Sequence, residues 1–208
     1  GDHRDLHSFP TRRSSDLAQH YGAQLRVTRL RPSGRGREVW HALRLTRDQS
    51  HALYAWLKAH PDVLTGDSFF HLSALGQPLD GLNMCGAGRI VCCVDPRGDV
   101  YACPFALSEE FKAGNVRERS FAEIWREAPL FAHLREWEVG GTCQQCGAYG
   151  RCHGGCMAVK YFTGTPLDEP DPECVFAPET GPTDIVLPLT LQPRPIRVPR
   201  AARAAAGD

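Results

Sequence analysis

At 208 residues, 42% of them hydrophobic, the chain is long enough to bury one or two modest cores and too apolar to be wholly disordered. Lysine plus arginine equals aspartate plus glutamate at 24 each, so the net charge favours neither nucleic acid nor an anionic membrane as a partner. No apolar run approaches the roughly 18 residues of a membrane span, and no secretory leader opens the chain, which therefore reads as cytoplasmic.

Residues 1–17, GDHRDLHSFPTRRSSDL, show no helical or strand periodicity. Back-translated, they match a widely used adapter for short-read sequencing libraries, so they are expected to be an artefactual leader outside the fold. On that expectation the natural gene extends further upstream. Residues 25–30, LRVTRL, read as a strand, and the proline and glycines of 32–36 as a loop. Thr46 with Gln49 three residues on forms a capping box that opens a helix. Leu53, Trp56 and Leu57 supply its apolar stripe, and His60-Pro61 ends it. One strand-loop-helix unit cannot cover both faces of a parallel sheet, which implies further such units upstream.

Residues 90–95 and 99–103 read as the strands of a hairpin around Asp95-Pro96-Arg97-Gly98, where proline suits the second turn position and glycine a positive φ. Ser120 with Glu123 forms a second capping box, and Phe121, Ile124 and Trp125 give its helix an apolar face until Pro129 interrupts it. That helix is a spacer between two cysteine groups. The tail, 177–208, is rich in proline, alanine and arginine and is expected to be poorly ordered.

Nine cysteines, at 85, 92, 93, 103, 143, 146, 152, 156 and 174, all fall within less than half of the chain. A disulfide framework would leave one thiol over and needs an oxidising compartment that nothing here announces, so the pattern points to metal ligation. In order it runs Cys85, twelve residues, Gly98, four residues, Cys103, 39 residues, then Cys143-x2-Cys146-x5-Cys152-x3-Cys156, seventeen residues, and Cys174. Thiolates are soft ligands for iron-sulfur clusters or zinc, and such short spacings let one stretch of backbone present several sulfurs to one site. Zinc sites of four cysteines more often use two short pairs, so zinc fits this run less well but stays open. His71 and His153 are further candidate ligands, with packing as the alternative for each.

This arrangement resembles the SPASM domain of radical S-adenosylmethionine enzymes that modify peptides. The resemblance implies an α+β chain: the C-terminal strand-helix portion of a partial (β/α) radical barrel with its linker at 18–80, then at 81–176 a β-hairpin and short helices around two auxiliary iron-sulfur clusters of the 4Fe-4S type. Carried over position by position, it implies Cys85, Cys103 and Cys156 on the first cluster and Cys143, Cys146, Cys152 and Cys174 on the second. Tying Cys85 to Cys156 closes a loop of about 70 residues, an entropic term on the order of 4 kcal/mol by analogy with a disulfide. Cys92 is the expected fourth ligand of the first cluster, with Cys93 and an open site as the alternatives. The two are adjacent on a strand and face opposite ways; Cys92 stands nearer the family spacing, and Cys93 shares the face of Cys103 if Asp95 pairs with Asp99.

More narrowly, RVTRLRPSGRG, LTGDSFFHLSALG, GLNMCGAGRIVC, GDVYACPFA and CHGGCMAVKYFTGTPLDEPDPEC resemble the mycofactocin radical maturases across about residues 18–176. That likeness implies oxidative decarboxylation and crosslinking of a C-terminal Val-Tyr on a ribosomal precursor peptide, with a small peptide-binding chaperone and an electron donor as partners. Pro104 stands where sulfatase maturases place an aspartate, which weakens that sister reading. Arg29, Arg31 and Arg35 are read either as carboxylate contacts or as a solvated basic loop. The Cys-x3-Cys-x2-Cys loop that binds the radical-generating cluster and S-adenosylmethionine occurs nowhere in the chain, so by itself it is expected to be inert. The alternatives from other classes are a free-standing electron-transfer module and a zinc-stabilised binding module.

Overall fold

A computed structural model describes residues 12–65, 68–77, 79–82 and 84–176. The tail from 177 and most of the leader lie outside them. The leader's end is helical, α1 (Arg12–His20), where no element is expected from its pattern. Leu17 is 56% exposed, and among the described side chains none of α1 belongs to either hydrophobic core.

The strand expected at 25–30 reduces to one parallel bridge. Arg26 pairs with Leu64, the Val27 N–H donating to the Leu64 carbonyl and the Leu64 N–H to the Leu25 carbonyl, both at 2.9 Å. Among the described residues no longer parallel ladder forms, since a buried parallel strand needs neighbours on both edges. The region expected to be loop runs directly into α2 (Gly36–Leu43), which carries no capping signal, and its Trp40 is buried.

The helix α3 (Arg47–Ala59) starts at the expected box: the Gln49 N–H donates to Thr46 Oγ1 at 3.2 Å and the Thr46 N–H to Gln49 Oε1 at 2.9 Å. It buries Leu53 and Leu57 in a small core with Val63, Phe69, Leu72 and Leu82. His60 caps its end and stacks on Trp56 with ring centroids 4.2 Å apart.

The hairpin forms in the expected register, with shorter strands. β1 (Cys93–Val94) pairs antiparallel with β2 (Asp99–Tyr101), Cys93 opposite Tyr101 and Val94 opposite Val100. Gly98 takes a φ of +91° in the turn. The first strand is short because the preceding residues coil up: the Gly86 carbonyl accepts from the N–H groups of Arg89, Ile90 and Val91, each at 2.9 Å. A third strand, β3 (Lys112–Asn115), extends the sheet on the β2 edge. Its KAGN sequence has no apolar alternation to announce it; polar contacts bind it instead, Lys112 Nζ lying 2.8 Å from Asp99 Oδ1 and Asn115 Nδ2 donating to the same oxygen at 2.7 Å.

The second capping box opens α4 (Phe121–Glu127). Pro129 both ends that helix and opens α5 (Pro129–Glu136), because its fixed φ and missing N–H suit a first helical turn. The spacer is therefore two helices. They pack with the sheet and with α7 (Met157–Thr163) into the larger core, which holds Val100, Phe111, Ile124, Phe131, Leu134, Met157 and Val159. Trp40 joins it from α2, so the N-terminal segment is keyed into the core beneath the sheet.

Ile124 is fully buried in this core whereas Phe121 is 44% exposed. Truncating Ile124 to alanine should lower unfolding stability by about 2–5 kcal/mol, and truncating Phe121 by clearly less. Denaturant titration of the two variants against the parent checks the ordering.

Candidate metal centre

The structure gathers the expected ligands into two groups. Cys156 is the residue from which α7 springs, and its thiol donates a hydrogen bond to the sulfur of Cys85, Cys156 being buried and Cys85 half-buried. That bond holds the Cys85 thiol below its ordinary range against the opposing effect of burial, with backbone N–H groups of Ala87 and Met157 also donating to it. Donating the same bond, together with burial, pushes Cys156 up. Cys103 lies within electrostatic reach of Cys85. Cys92 packs against the same core, but its charged neighbour is Cys93, and burial raises its thiol pKa.

Cys143, Cys146, Cys152 and Cys174 line one small cavity, together with Tyr149, Gly154 and Asp171. Local folding brings them there in steps. Cys143 closes a 3-10 turn, Gly141–Cys143, and the Cys146 N–H donates back to its carbonyl at 3.1 Å. Cys152 ends α6 (Tyr149–Cys152), after which His153 at φ +48° and Gly154 and Gly155 at φ +75° and +94° reverse the chain toward Cys156. A Cβ at Gly155 would lie 2.3 Å from Asp171, so only glycine fits. The Cys174 N–H donates to the Asp171 carbonyl at 2.8 Å. Burial pushes Cys143 up to about 11 and Cys152 up to about 12, with Cys174 and Asp171 respectively adding to it. Among the described residues no three His, Cys, Asp or Glu side chains converge on a point that one ion would occupy. The four thiols surround a space instead, and a soft, all-thiol set around a cavity fits an iron-sulfur cluster.

Asp171 belongs to both groups. Its Oδ2 accepts the Cys156 N–H at 2.9 Å, while its side chain borders the second cavity. It is held by Arg29, which the sequence leaves among three unassigned arginines. Arg29 is 4% exposed and donates from Nη1 and Nη2 to the two Asp171 oxygens at 2.8 and 2.7 Å. Its Nε donates to Glu173 at 2.6 Å, Nη1 to the Ser68 carbonyl at 3.0 Å, and Nη2 also to Glu173. Burial works against the charge on Arg29, but Asp171 and Glu173 more than restore it; burial likewise opposes ionisation of Asp171, and Arg29 holds its carboxyl far below the usual range. The solvated-loop reading of Arg29 is therefore corrected. Nothing in the local sequence flagged Asp171; its partner lies 142 positions away.

Arg35 is exposed, and the Arg31 guanidinium lies over the Phe105 ring, 3.6 Å from its centroid. This pair belongs to an open cleft between residues 28–36 and the turn after Cys103, bordered by Pro104 and Phe162. His71 is buried with neither ring nitrogen hydrogen-bonded, and burial, aided by Arg29, lowers its pKa to about 3, so it is neutral. His153 stacks on Tyr149 with centroids 5.0 Å apart. Both histidines pack; neither lines the thiol cavity.

The SPASM family, an iron-sulfur cluster-binding domain, matches residues 85–147. The chain is similar to the mycofactocin maturase of Mycobacterium ulcerans, at 61% identity over 163 residues, which cover 76% of this chain and 44% of that protein. The mycofactocin maturase of Mycolicibacterium smegmatis is 60% identical over 163 residues, 76% of this chain and 42% of that protein. An AdoMet-dependent heme synthase of Methanosarcina barkeri is 38% identical over 96 residues, 45% of this chain and 26% of its own. The chain thus spans less than half the length of these curated relatives. A solved structure of anSMEcpe with bound AdoMet aligns with 78% of this chain and 53% of its own at 13% identity and a TM-score of 0.45, too slight a likeness to assign a fold. Among the described residues no helix is long and apolar enough to cross a membrane.

Replacing Arg29 by methionine leaves Asp171 and Glu173 buried without their cation, and should cost on the order of 3–5 kcal/mol. Lysine should rescue only part of that loss, because one ammonium cannot reproduce the five-bond fork. Thermal and denaturant unfolding of the two variants measures both effects.

Proposed function

We propose that this chain, a SPASM-domain member of the radical S-adenosylmethionine maturases, is the auxiliary-cluster portion of a peptide-modifying enzyme of the mycofactocin maturase kind. In this reading residues 81–176 form the cluster domain, and 18–80 the end of the radical barrel and a linker. Cys85, Cys103 and Cys156 hold the first cluster, and Cys143, Cys146, Cys152 and Cys174 the second, both of the 4Fe-4S type. The observation that supports the reading is the sorting of these thiols: ligand sets that interleave along the chain are drawn together as separate groups, one around the hydrogen-bonded Cys85–Cys156 pair and one around a cavity.

Bound clusters supply one-electron chemistry or an anchoring surface, tuned by burial and by hydrogen bonds to sulfur. The chain's own contribution at the first site is visible in the N–H groups of Ala87 and Met157 aimed at the Cys85 sulfur. The parent enzyme would act on the C-terminal Val-Tyr of a ribosomal precursor peptide, by oxidative decarboxylation and then carbon-carbon bond formation. Its substrate would be presented by a small chaperone, and its clusters served by an electron donor. S-adenosylmethionine and a third cluster would be held by barrel sequence carrying the Cys-x3-Cys-x2-Cys motif, which these 208 residues lack, so the chain alone would be inactive. The cleft beside Cys103, with an arginine over an aromatic ring, is suited to an anionic peptide end.

Anaerobic reconstitution of the chain with iron and sulfide should yield a brown protein with about eight irons and eight sulfides, two clusters of four. Alanine at Cys146 or Cys156 should each remove about half of them. Tightly held zinc without sulfide would overturn the assignment. The fourth ligand of the first site can be read from the same assay: alanine at Cys92, or else at Cys93, destabilises that cluster, and if neither does, the coordination site is open.

A further inference from the structure

Arg135 stands in the last turn of α5, where a basic residue suits the negative end of a helix, and the sequence asks nothing more of it. The structure turns it inward. Its Nε donates to the Gly88 carbonyl at 2.9 Å and its Nη2 to the Trp125 carbonyl at 2.6 Å. The guanidinium also lies 4.9 Å from the centroid of the Trp125 ring and 5.8 Å from that of Phe131. Among the described residues its hydrogen-bond partners are these two backbone carbonyls and no carboxylate. A rigid fork of charged donors suits that task, because it fixes two acceptors at a set separation with bonds stronger than neutral ones.

Gly88 is a junction within the first thiol group. Its backbone is left-handed, at φ +64°, and its N–H is shared between the Val91 carbonyl at 2.9 Å and the Ala102 carbonyl at 3.1 Å. Ala102 immediately precedes Cys103, and the coil of residues 86–91 immediately follows Cys85. One residue therefore ties the loop of one proposed ligand to the strand end of another. Its neighbour Ala87 donates its own N–H to the Cys85 sulfur. The helix α5 closes on this junction: a Cβ at Gly88 would lie 3.1 Å from both Leu134 and Phe131, so only glycine allows the approach. Arg135, next after Leu134, then takes the one carbonyl that Gly88 has to offer.

We propose that Arg135 is a positioning residue for the first cluster: by clasping the Gly88 and Trp125 carbonyls, it holds the loop of Cys85 against the strand end of Cys103 at the spacing one cluster requires. The assignment rests on the two-cluster reading and deepens it. Arg135 ligates nothing, and no proton or electron passes through it. Its effect is confined to the first group, because Gly88, Trp125 and Phe131, which it touches, stand outside the cavity of the second.

The test compares the reconstituted chain with Arg135→Gln, Arg135→Lys and, as a control for general destabilisation, Leu53→Ala in the smaller core. Circular dichroism follows folding, iron and sulfide content follow loading, and electron paramagnetic resonance after dithionite reduction distinguishes the clusters. The glutamine variant is expected to fold and to lose the first cluster alone, its iron falling twofold, from about eight to about four per chain. Adding Cys156→Ala to it should then remove no further iron, whereas adding Cys146→Ala should remove the rest. Lysine should recover only part of the loss, because one ammonium cannot hold two separate carbonyls. Full loading with an unchanged resonance in Arg135→Gln overturns the proposal. So does a loss shared equally by both clusters, full recovery by lysine, or the same selective loss in Leu53→Ala. If Arg135→Gln does not fold, Arg135→Lys decides: loss from the first cluster alone upholds the clasp, and any other result overturns it. A parent chain that itself takes up no iron overturns the two-cluster reading, and this assignment with it, before any variant is compared.

Discussion

A buried guanidinium ties the N-terminal segment to the loops that carry the last thiols. Arg29, on the segment that carries the Arg26–Leu64 parallel bridge, places all five of its N–H groups on Asp171, Glu173 and the Ser68 carbonyl. Asp171 in turn accepts the N–H of Cys156, and its own carbonyl accepts that of Cys174. A buried pair of this kind adds little net stability over an apolar replacement, but breaking it is costly, so it acts chiefly as a geometric specification. It sets where the last thiol of each proposed ligand group stands relative to the N-terminal segment.

Around that fixed point the cysteine loops have few alternatives. The reversal from Cys152 to Cys156 needs three consecutive residues in the left-handed region, and Gly155 is pressed so close to Asp171 that no side chain can intervene. Cys156 then begins a helix whose next residues, Met157, Ala158, Val159 and Tyr161, are core. The position of one sulfur is thereby coupled to the packing of the sheet, α4 and α5. The same coupling explains why Cys85, far away in sequence, is met by a thiol and two backbone N–H groups.

Two features connect this scaffold to chemistry. Each proposed thiol group has at least one buried member, Cys156 in the first and Cys143 and Cys152 in the second, and low dielectric there strengthens interactions with a charged cluster. The cleft beside Cys103 is open, and its wall is formed by both the N-terminal segment and the turn of Pro104 and Phe105. A peptide bound there would lie between the part of the chain nearest the proposed barrel and the first thiol group. Trp40, carried on α2 into the core beneath the sheet, keeps these walls in register.

What the sequence alone determined is what depends on neighbours a few positions apart. Both capping boxes, the Asp95–Gly98 turn and its register, and the spacing of Cys143, Cys146, Cys152 and Cys156 are local, because a side chain reaching three residues along the backbone meets its partner in any fold that keeps the element. Elements lacking such marks went unseen: α2 has no side-chain cap, β3 reads KAGN, and Pro129 was a stop that proved also to be a start. Only the tertiary structure decided that Arg29 is buried rather than solvated, that Asp171 is its partner, and that Lys160, with no surface exposed, lies inside the core. Each of those facts depends on burial and on contacts across as many as 144 positions, and a charged residue's letter is the same whether it faces water or the inside of a protein.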